Sequence, residues 1–270
     1  AHAWNDPDNG ALDVIYVPTP HQVVKRMLEL AKVGPGDIHY DLGSGDGRIA
    51  IAAVKDFKAK KAIGIDLDPQ RIRESLDNHK KAGVGDRVAF LNRNIFETDF
   101  SEANVISLYL LSTLNLRLRP TILDMRPGTR IITQSFTMSD WTPDHFEVVE
   151  FEENGHRGSR NVYLFIVPAK AAGQWTLTDG NKTISLDIEQ QFQRFTGTAT
   201  MDAGWYDSSS QDDYVDYGLQ GEWLYSPVVR HAFTLDAGWR RGHDSRGTAA
   251  REGNLALLPL DPDEYDLTNF

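Results

Sequence analysis

A glycine-rich turn, Gly43-Ser-Gly-Asp-Gly47, follows a short apolar stretch at residues 38–42 and precedes an apolar run that starts at Arg48. This order predicts a buried strand, a tight turn and a helix, the arrangement in which parallel α/β folds bring a ligand against bare backbone. The glycine spacing narrows the choice of ligand. A dinucleotide-binding turn needs a third glycine where Arg48 stands, and no Gly-Lys-Ser/Thr phosphate loop occurs in the chain.

Acidic residues flank this turn in sequence and complete a known pattern. The run Asp41-Leu-Gly-Ser-Gly-Asp-Gly47 resembles motif I of the class I, seven-strand S-adenosylmethionine (SAM) methyltransferases. The next apolar stretch, residues 62–66, ends in Asp66, and Asp68-Pro69 follows as a helix N-cap and first-turn pair. In this family the first acid and the turn hold the methionine end of SAM, and the second acid accepts the ribose hydroxyls. The resemblance therefore implies an α/β, Rossmann-like seven-strand fold with SAM as cofactor.

Further segments are similar to a subgroup of this family, the small archaeal and mitochondrial-type non-SET protein lysine methyltransferases. The similarity begins at Tyr16-Val-Pro-Thr-Pro20, covers roughly residues 16–168 and implies methyl transfer to the side-chain amine of protein lysine. The matching segments after the second acid are Gly83-Val84, Asn94-Ile-Phe-Glu97, Leu108-Tyr-Leu-Leu111, Arg126-Pro-Gly-Thr-Arg130 and Asn161-Val-Tyr-Leu164. The cofactor residues that the resemblance implies are Tyr16, Thr19, Asp41, Gly43, Gly45, Asp66, Leu67, Asn94 and Ile95. Among them, Thr19 would close over SAM and Asn94 would bond the adenine amine.

Apolar periodicity alternates between strand and helix over this part of the chain. Thr19 and Pro20 are expected as N-cap and first residue of a helix. Helices are further predicted at residues 48–57, 69–82 and 114–125, and strands at 88–91, 105–110, 130–134 and 162–167. The last two strands would form an antiparallel pair that closes the sheet, linked by a loop that holds Trp141 and His145.

To transfer a methyl group, the enzyme has mainly to align the accepting nitrogen with the methyl group and the sulfur, and to exclude water. A dedicated acid or base is not required. A lysine must lose its proton before it attacks, which costs about 4–5 kcal/mol at pH 7, and desolvation favours the neutral amine. The stretch Ser107–Leu111 is not Asn/Asp-Pro-Pro-Tyr, which disfavours methylation of adenine or glutamine amino groups. We predict Tyr109, Phe136 and Trp141 as the aromatic wall of the channel.

Composition excludes several other classes of function. The chain has no cysteine, and its histidines show no metal-ligand spacing, so no metal site is predicted. A net charge of −11 argues against a nucleic-acid partner. No apolar run reaches the roughly 18 residues of a membrane-spanning helix. The chain begins at Ala1, which fits both removal of an initial Met and cleavage of a signal peptide. We expect a cytoplasmic protein, because SAM is made in the cytoplasm. The sequence does not exclude an exported form.

The last third of the chain changes from helical to strand periodicity after a predicted linker at residues 169–173. Residues 174–270 carry a net charge of −9, which leaves −2 for the rest, and they show half-buried alternation typical of an antiparallel β-rich domain. Two interpretations compete. The first is a small β-domain that packs on itself, on the methyltransferase or on a partner, with recruitment of basic substrate segments or dimerisation as possible roles. The second is a fragment of an outer-membrane barrel, which needs more strands than the sequence offers.

The organisation predicted is therefore a polar, flexible lead-in at residues 1–15, a methyltransferase domain at 16–168, a linker and the β-rich domain. Protein lysine is the predicted acceptor. A small-molecule or lipid methyltransferase on the same fold is the alternative within enzymes, because fold and cofactor do not fix the acceptor. A SAM-binding sensor or scaffold without activity is the alternative outside enzymes.

Overall fold

The computed structural model describes residues 16–179, 182–202, 213–224, 232–243 and 251–256. The predicted lead-in at residues 1–15 and part of the predicted β-rich domain lie outside these residues. The chain divides into two compact units, Ala1–Ala169 and Lys170–Phe270.

The first unit contains a seven-stranded sheet in the order β3-β2-β1-β4-β5-β7-β6. Neighbouring strands are parallel except at β7, which is antiparallel to both β5 and β6, so the predicted seven-strand Rossmann-like fold is confirmed. The strands are β1 (Ile38–Leu42), β2 (Lys61–Asp66), β3 (Val88–Asn92), β4 (Val105–Leu108), β5 (Arg130–Gln134), β6 (His145–Glu153) and β7 (His156–Ile166). The helices are α1 (His21–Leu30), α2 (Arg48–Lys55), α3 (Pro69–Ala82) and α4 (Ser112–Leu123).

Helix α1 begins one residue later than the sequence predicts. Pro20 lies outside the helix at φ −56° and ψ 143° and is itself the N-cap, and this N-cap makes no side-chain hydrogen bond to the described residues of the helix. The Pro20 carbonyl accepts the Val24 N–H at 2.9 Å, which starts the helical ladder without help from Thr19. The prediction of Thr19 as N-cap is therefore wrong, because the Thr-Pro pair stays extended. By contrast, Asp68 caps α3 as predicted, since its carboxylate accepts the Gln70 N–H at 2.7 Å.

The hairpin β6–β7 is the main element that the sequence analysis does not anticipate. A loop is expected around residues 145–153, yet these residues form the edge strand of the sheet and pair with β7 from His145↔Leu164 to Glu153↔His156. The turn at Asn154-Gly155 has positive φ at both residues, as a tight hairpin requires. Arg26 of α1 makes a bidentate ion pair with Glu147 at 2.7 and 2.8 Å, so the hairpin and α1 are fastened together.

The second unit contains a six-stranded antiparallel sheet in which each strand pairs with the next along the chain, which confirms the predicted β-rich fold. Its strands are β8 (Gly173–Asp179), β9 (Lys182–Gln191), β10 (Arg194–Asp202), β11 (Asp213–Leu224), β12 (Ala232–His243) and β13 (Arg251–Ala256). On β9 the predicted alternation is present, because Ile184, Leu186 and Ile188 are half-buried while the residues between them are exposed.

In the part of the chain that the structure covers, no helix combines the length and the apolar character that crossing a bilayer requires.

Candidate functional site

The turn after β1 forms the floor of the candidate site. Gly43, Gly45 and Gly47 have φ of 83°, 54° and 80°, a left-handed backbone that side chains disfavour. The N–H groups of Gly43 and Ser44 both donate to the carbonyl of Ile65 on β2, at 2.8 and 2.9 Å. The turn is therefore fastened to the neighbouring strand, and its remaining backbone faces the carboxyl edge of the sheet, where ligands of such folds bind.

Asp66 ends β2 and connects the turn to α3. Its Oδ2 accepts the Gly45 N–H at 2.8 Å, and its Oδ1 accepts the Asp68 N–H at 2.9 Å. The side chain is only 8% exposed, and burial raises the pKa of this carboxyl above its usual range. Each oxygen keeps a free lone pair after these bonds, so the carboxylate can still accept two further hydrogen bonds. This is the arrangement expected of an acid that receives a pair of vicinal hydroxyls.

Asp41 lies deeper, on β1 beside β4. Its Oδ1 accepts the Ser107 hydroxyl at 2.6 Å, while its buried Oδ2 has no hydrogen-bond partner among the described residues. Burial, reinforced by Asp66 and Asp46, raises its pKa to about 7. The hydroxyl of Ser44 in the turn is also buried without a partner in the described part of the chain. Such unpaired polar atoms are costly unless a ligand or water completes them.

Tyr16 lies across the glycine turn. A Cβ built on Gly45 would come within 2.4 Å of the Tyr16 ring, so only glycine allows this contact. The Arg71 guanidinium stacks over the same ring at 4.5 Å, and burial, followed by the charge of Asp46, raises the Tyr16 pKa to about 12. Because the phenol stays neutral, it acts as a hydrogen-bonding and packing group.

Thr19 is held against the same turn by its backbone. The Arg48 guanidinium donates to the Thr19 carbonyl at 2.7 Å and pairs with Asp46 at the same distance. The segment 16–19 is therefore fixed over the glycine turn at both ends. Arg48, Asp46 and Arg71 are not among the predicted site residues, although Asp46 and Arg48 stand within and directly after the motif.

The remaining predicted cofactor residues lie at the ends of β2 and β3. Asn92 donates to the carbonyls of Asp66 and Leu67 at 3.0 and 2.8 Å, which joins the two strand ends. Asn94 bonds within its own turn, where its Oδ1 accepts the Phe96 N–H at 3.0 Å. Ile95 is fully buried. The structure thus places Asp66, Leu67, Asn94 and Ile95 at one edge of the sheet, and their contact with a cofactor stays a prediction.

Two of the three predicted wall residues meet. The rings of Tyr109 and Phe136 stack at 6.2 Å with an angle of 28°, and both side chains are half-buried. The third residue, Trp141, is fully buried, and its ring packs on Phe165 at 5.2 Å. An incoming side chain could therefore contact Tyr109 and Phe136 directly, whereas Trp141 supports the sheet from within.

The described residues contain no group of three or more His, Asp or Glu side chains that could hold a metal ion. His39 on β1 is fully buried, and desolvation lowers its pKa to about 3. It is therefore a neutral side chain of the interior.

Comparisons with known proteins identify the class to which the chain belongs. The family model of the ANTKMT methyltransferase domain matches residues 41–145, the segment from the first acid to the start of β6. A protein-lysine N-methyltransferase of Saccharolobus islandicus is 46% identical over 155 residues, which are 57% of this chain and 94% of that protein. This chain belongs to that methyltransferase family. The prediction that the chain is a class I SAM-dependent methyltransferase similar to the non-SET protein lysine methyltransferases is confirmed.

Two further relatives differ in their stated substrates. A mouse lysine N-methyltransferase named for an ATP synthase subunit is 28% identical over 131 residues, which are 48% of this chain and 52% of that protein. The crystal structure of an RNA methyltransferase from Salinibacter ruber, in complex with S-adenosyl-L-homocysteine, is 42% identical with a TM-score of 0.51. This structural match covers 57% of this chain and 96% of the Salinibacter ruber chain. All of these matches concern methyltransferases, and the cofactor of this enzyme is SAM.

The residues present fit this cofactor. The glycine backbone, which has no room for a Cβ at Gly45, offers a surface that a ligand can contact closely. The two buried carboxyl groups offer hydrogen-bond acceptors. Among the described residues, Asp41 Oδ2 and the Ser44 hydroxyl have no partner, and the hydroxyl can also donate its proton. We therefore expect Asp66 to hold the ribose hydroxyls, and Asp41 with the turn to hold the methionine end. Ser107, which orients Asp41, belongs to this set although no local sequence pattern points to it.

The pKa of Asp41 predicts a pH-dependent affinity for SAM. Only the carboxylate attracts the cofactor's cationic amino group, so we expect binding about tenfold weaker at pH 6 than at pH 8 for a group with a pKa of about 7. Asp41→Asn should bind more weakly at pH 8 and lose this pH dependence. Calorimetric titration at both pH values measures the effect; an equally steep dependence in Asp41→Asn would assign the titration to another group.

Asp41 also makes a prediction about stability that needs no ligand. Its pKa is about 7 in the folded protein against 3.8 for the ordinary carboxyl, so the folded state holds the proton more tightly than the unfolded state between these values. The contribution of Asp41 to the free energy of unfolding therefore decreases as pH rises from about 4 to 7. Denaturant unfolding at pH 5 and pH 8 should show Asp41→Asn gaining stability over the wild type at the higher pH. If Asp41→Asn gains no stability relative to the wild type between pH 5 and pH 8, that result contradicts the burial of an ionised Asp41.

Proposed function

We propose that this enzyme transfers the methyl group of SAM to the side-chain amine of lysine in a protein substrate. The observation that carries the proposal is the 46% identity to a protein-lysine N-methyltransferase over nearly the whole length of that relative. The mouse relative has a lysine substrate in its name as well. Both comparisons agree with the acceptor that the sequence analysis predicts.

The residues around the end of β4, where the methyl acceptor would enter, favour an uncharged lysine amine over the ammonium form. Tyr109 and Phe136 present aromatic surface beside the end of β4, and Leu108 and Leu110 are buried around it. Deprotonation of a lysine costs about 4–5 kcal/mol in water at pH 7, and an apolar wall lowers that cost by disfavouring the ammonium form. When bound, SAM would supply an electrophilic methyl group with S-adenosylhomocysteine as the leaving group, and the lysine would give up one proton to solvent before its nitrogen takes that methyl group.

RNA is the competing acceptor, because the related Salinibacter ruber protein is an RNA methyltransferase by name. Nucleic-acid enzymes neutralise phosphates with clustered Lys and Arg, and their domains are usually basic. This chain has 39 acidic and 28 basic side chains, and the part outside residues 174–270 still carries a net charge of −2. The charge balance favours a protein over a polyphosphate.

A label-transfer experiment separates the two acceptors. The enzyme is incubated with methyl-tritiated SAM and a dialysed cell extract, and equal portions are then digested with protease or with ribonuclease. We expect the acid-precipitable label to be lost with protease and kept with ribonuclease. Label that ribonuclease removes would establish RNA as the acceptor, and label confined to extractable small molecules would support the lipid or small-molecule alternative.

A further inference from the structure

The hairpin β6–β7 continues past the end of the sheet at which the cofactor site lies. Strand β5 ends at Gln134, which pairs with Val162 of β7, whereas β6 and β7 stay paired as far as Glu153 and His156. The paired arm therefore extends six residues beyond the carboxyl end of β5, roughly 20 Å at the rise of an antiparallel strand. No residue of this arm belongs to the site described above, although the arm stands at the same edge.

The tip of the arm is fastened to the first turn of α1 by Glu153. Its Oε2 accepts the backbone N–H of His21 at 3.2 Å, and its Oε1 is hydrogen-bonded to His21 Nδ1. The bond with the His21 side chain is the main cause of a lowered pKa at Glu153, which is therefore a carboxylate at neutral pH. Next to it, the Glu152 N–H donates to Gln22 Oε1 at 2.7 Å. Glu153 thus satisfies the first N–H of α1, for which the N-cap Pro20 has no side-chain acceptor.

His21 is joined directly to the segment 16–19, which lies over the glycine turn. The Tyr16 ring packs on Gly45, and the Arg48 guanidinium holds the Thr19 carbonyl at 2.7 Å. Only Pro20 separates Thr19 from His21, and the proline ring fixes φ at this joint. A movement of the start of α1 therefore moves the segment 16–19 with it.

From these contacts we propose that Glu153 holds the segment 16–19 in place over the glycine turn and thereby raises the affinity of the enzyme for SAM. A segment that is already ordered costs less to close over a ligand than one that binding must first order. Glu153 is therefore a positioning residue, which acts through His21 and makes no contact with the cofactor itself. The inference concerns the cofactor and does not depend on which acceptor receives the methyl group.

Replacing Glu153 tests the inference. We expect Glu153→Ala to bind SAM about tenfold more weakly in calorimetric titration. Without SAM, a peptide that covers residues 16–24 should exchange its amide hydrogens faster than in the wild type. Glu153→Gln should stay within about threefold of the wild-type affinity, because a carboxamide can accept the His21 N–H and donate to Nδ1. With the dialysed cell extract as methyl acceptor, the KM for SAM should rise in Glu153→Ala and kcat should stay within about twofold.

Glu147 on the same strand provides the matched control. Its side chain is 31% exposed, against 28% for Glu153, and it pairs with Arg26, which lies more than one turn further along α1 than His21. Glu147→Ala also removes a bond between the hairpin and α1, so it should lower the melting temperature at least as much as Glu153→Ala does. Its SAM affinity should stay within about twofold of the wild type, because the start of α1 keeps its contacts.

His21→Ala measures the coupling between the two residues. It removes Nδ1 and keeps the backbone N–H, so we expect SAM binding about threefold weaker, and the double variant with Glu153→Ala should bind no more weakly than Glu153→Ala alone. The side chain of His21 is 72% exposed, so this variant carries the test if Glu153→Ala does not fold. Wild-type affinity in His21→Ala, additive losses in the double variant, or equal losses in Glu147→Ala and Glu153→Ala would overturn the inference. Unchanged amide exchange over residues 16–24 in Glu153→Ala would do so as well.

Discussion

Replacing Asp66 by Ala should weaken SAM binding by about a hundredfold. Two hydrogen bonds from the ribose hydroxyls to a carboxylate contribute roughly 1.5–3 kcal/mol each before reorganisation, so the loss of both amounts to about 3 kcal/mol or more. The variant also frees the N–H groups of Gly45 and Asp68, which Asp66 holds at 2.8 and 2.9 Å, and this loosens the turn against α3. Calorimetric titration with SAM measures the change directly.

A second buried aspartate serves as the matched control. Asp144 is 8% exposed, as is Asp66, and its carboxylate accepts the Ile166 N–H at 2.7 Å. Asp144→Ala should lower the free energy of unfolding by about 1–3 kcal/mol, as the loss of a buried hydrogen-bonded group does, and leave SAM affinity within about threefold. Equal losses of affinity in both variants would show that Asp66 acts through the fold and not through the cofactor.

Replacing Gly45 by Ala should be nearly as damaging, for a steric reason. Its φ of 54° costs a side chain about 1–2 kcal/mol, and the added methyl would lie 2.4 Å from the Tyr16 ring. Either the ring or the turn must move, so we expect SAM affinity to fall at least about tenfold and the free energy of unfolding to drop by about 2–3 kcal/mol. Calorimetry and denaturant unfolding measure the two effects.

Two further variants identify the cause of the loss. Gly36→Ala adds the same methyl where none of the described residues has an atom within 4 Å. It should leave both the SAM affinity and the free energy of unfolding nearly unchanged. Combining Gly45→Ala with Tyr16→Ala removes the clash and keeps the backbone strain. If the double variant is as unstable as the sum of the single variants, the contact between Tyr16 and the turn is not the constraint that the structure shows.

The cofactor half of the site is local in sequence, which is why it could be predicted. One strand, one turn and the next strand end bring Asp41, Gly45 and Asp66 together within 26 residues, and parallel strands place such ends at one edge. The charged helix α3 was also predicted with its observed bounds, because Asp68-Pro69 and Gly83 mark its ends.

The partners of these residues could not be read from local pattern. Ser107 bonds Asp41 across 66 positions of sequence, and the contact exists only because β4 lies beside β1 in one register. Long-range register, which sets this contact, is decided by the packing of the whole sheet.

The hairpin β6–β7 escapes prediction although a signal is present. Apolar and charged side chains intermix over residues 145–153, and Asn154-Gly155 follows, a pair that favours a tight hairpin turn. The alternation breaks at Val148-Val149. In the first half of the strand Phe146 and Val148 are exposed, at 49% and 51%, while Glu147 pairs with Arg26 of α1; from Val149 onward the apolar side chains face inward.

The most direct test of the central claim is to identify the methylated atom. The enzyme is incubated with SAM that carries a deuterated methyl group and a dialysed cell extract, and the proteins are digested and sequenced by tandem mass spectrometry. We predict heavy methyl groups on the Nζ of lysine, present with the wild type and at least about tenfold less abundant with Asp66→Ala. Heavy methyl groups on nucleosides, lipids or other amino acids, with none on lysine, would contradict the assignment of this enzyme as a protein-lysine methyltransferase.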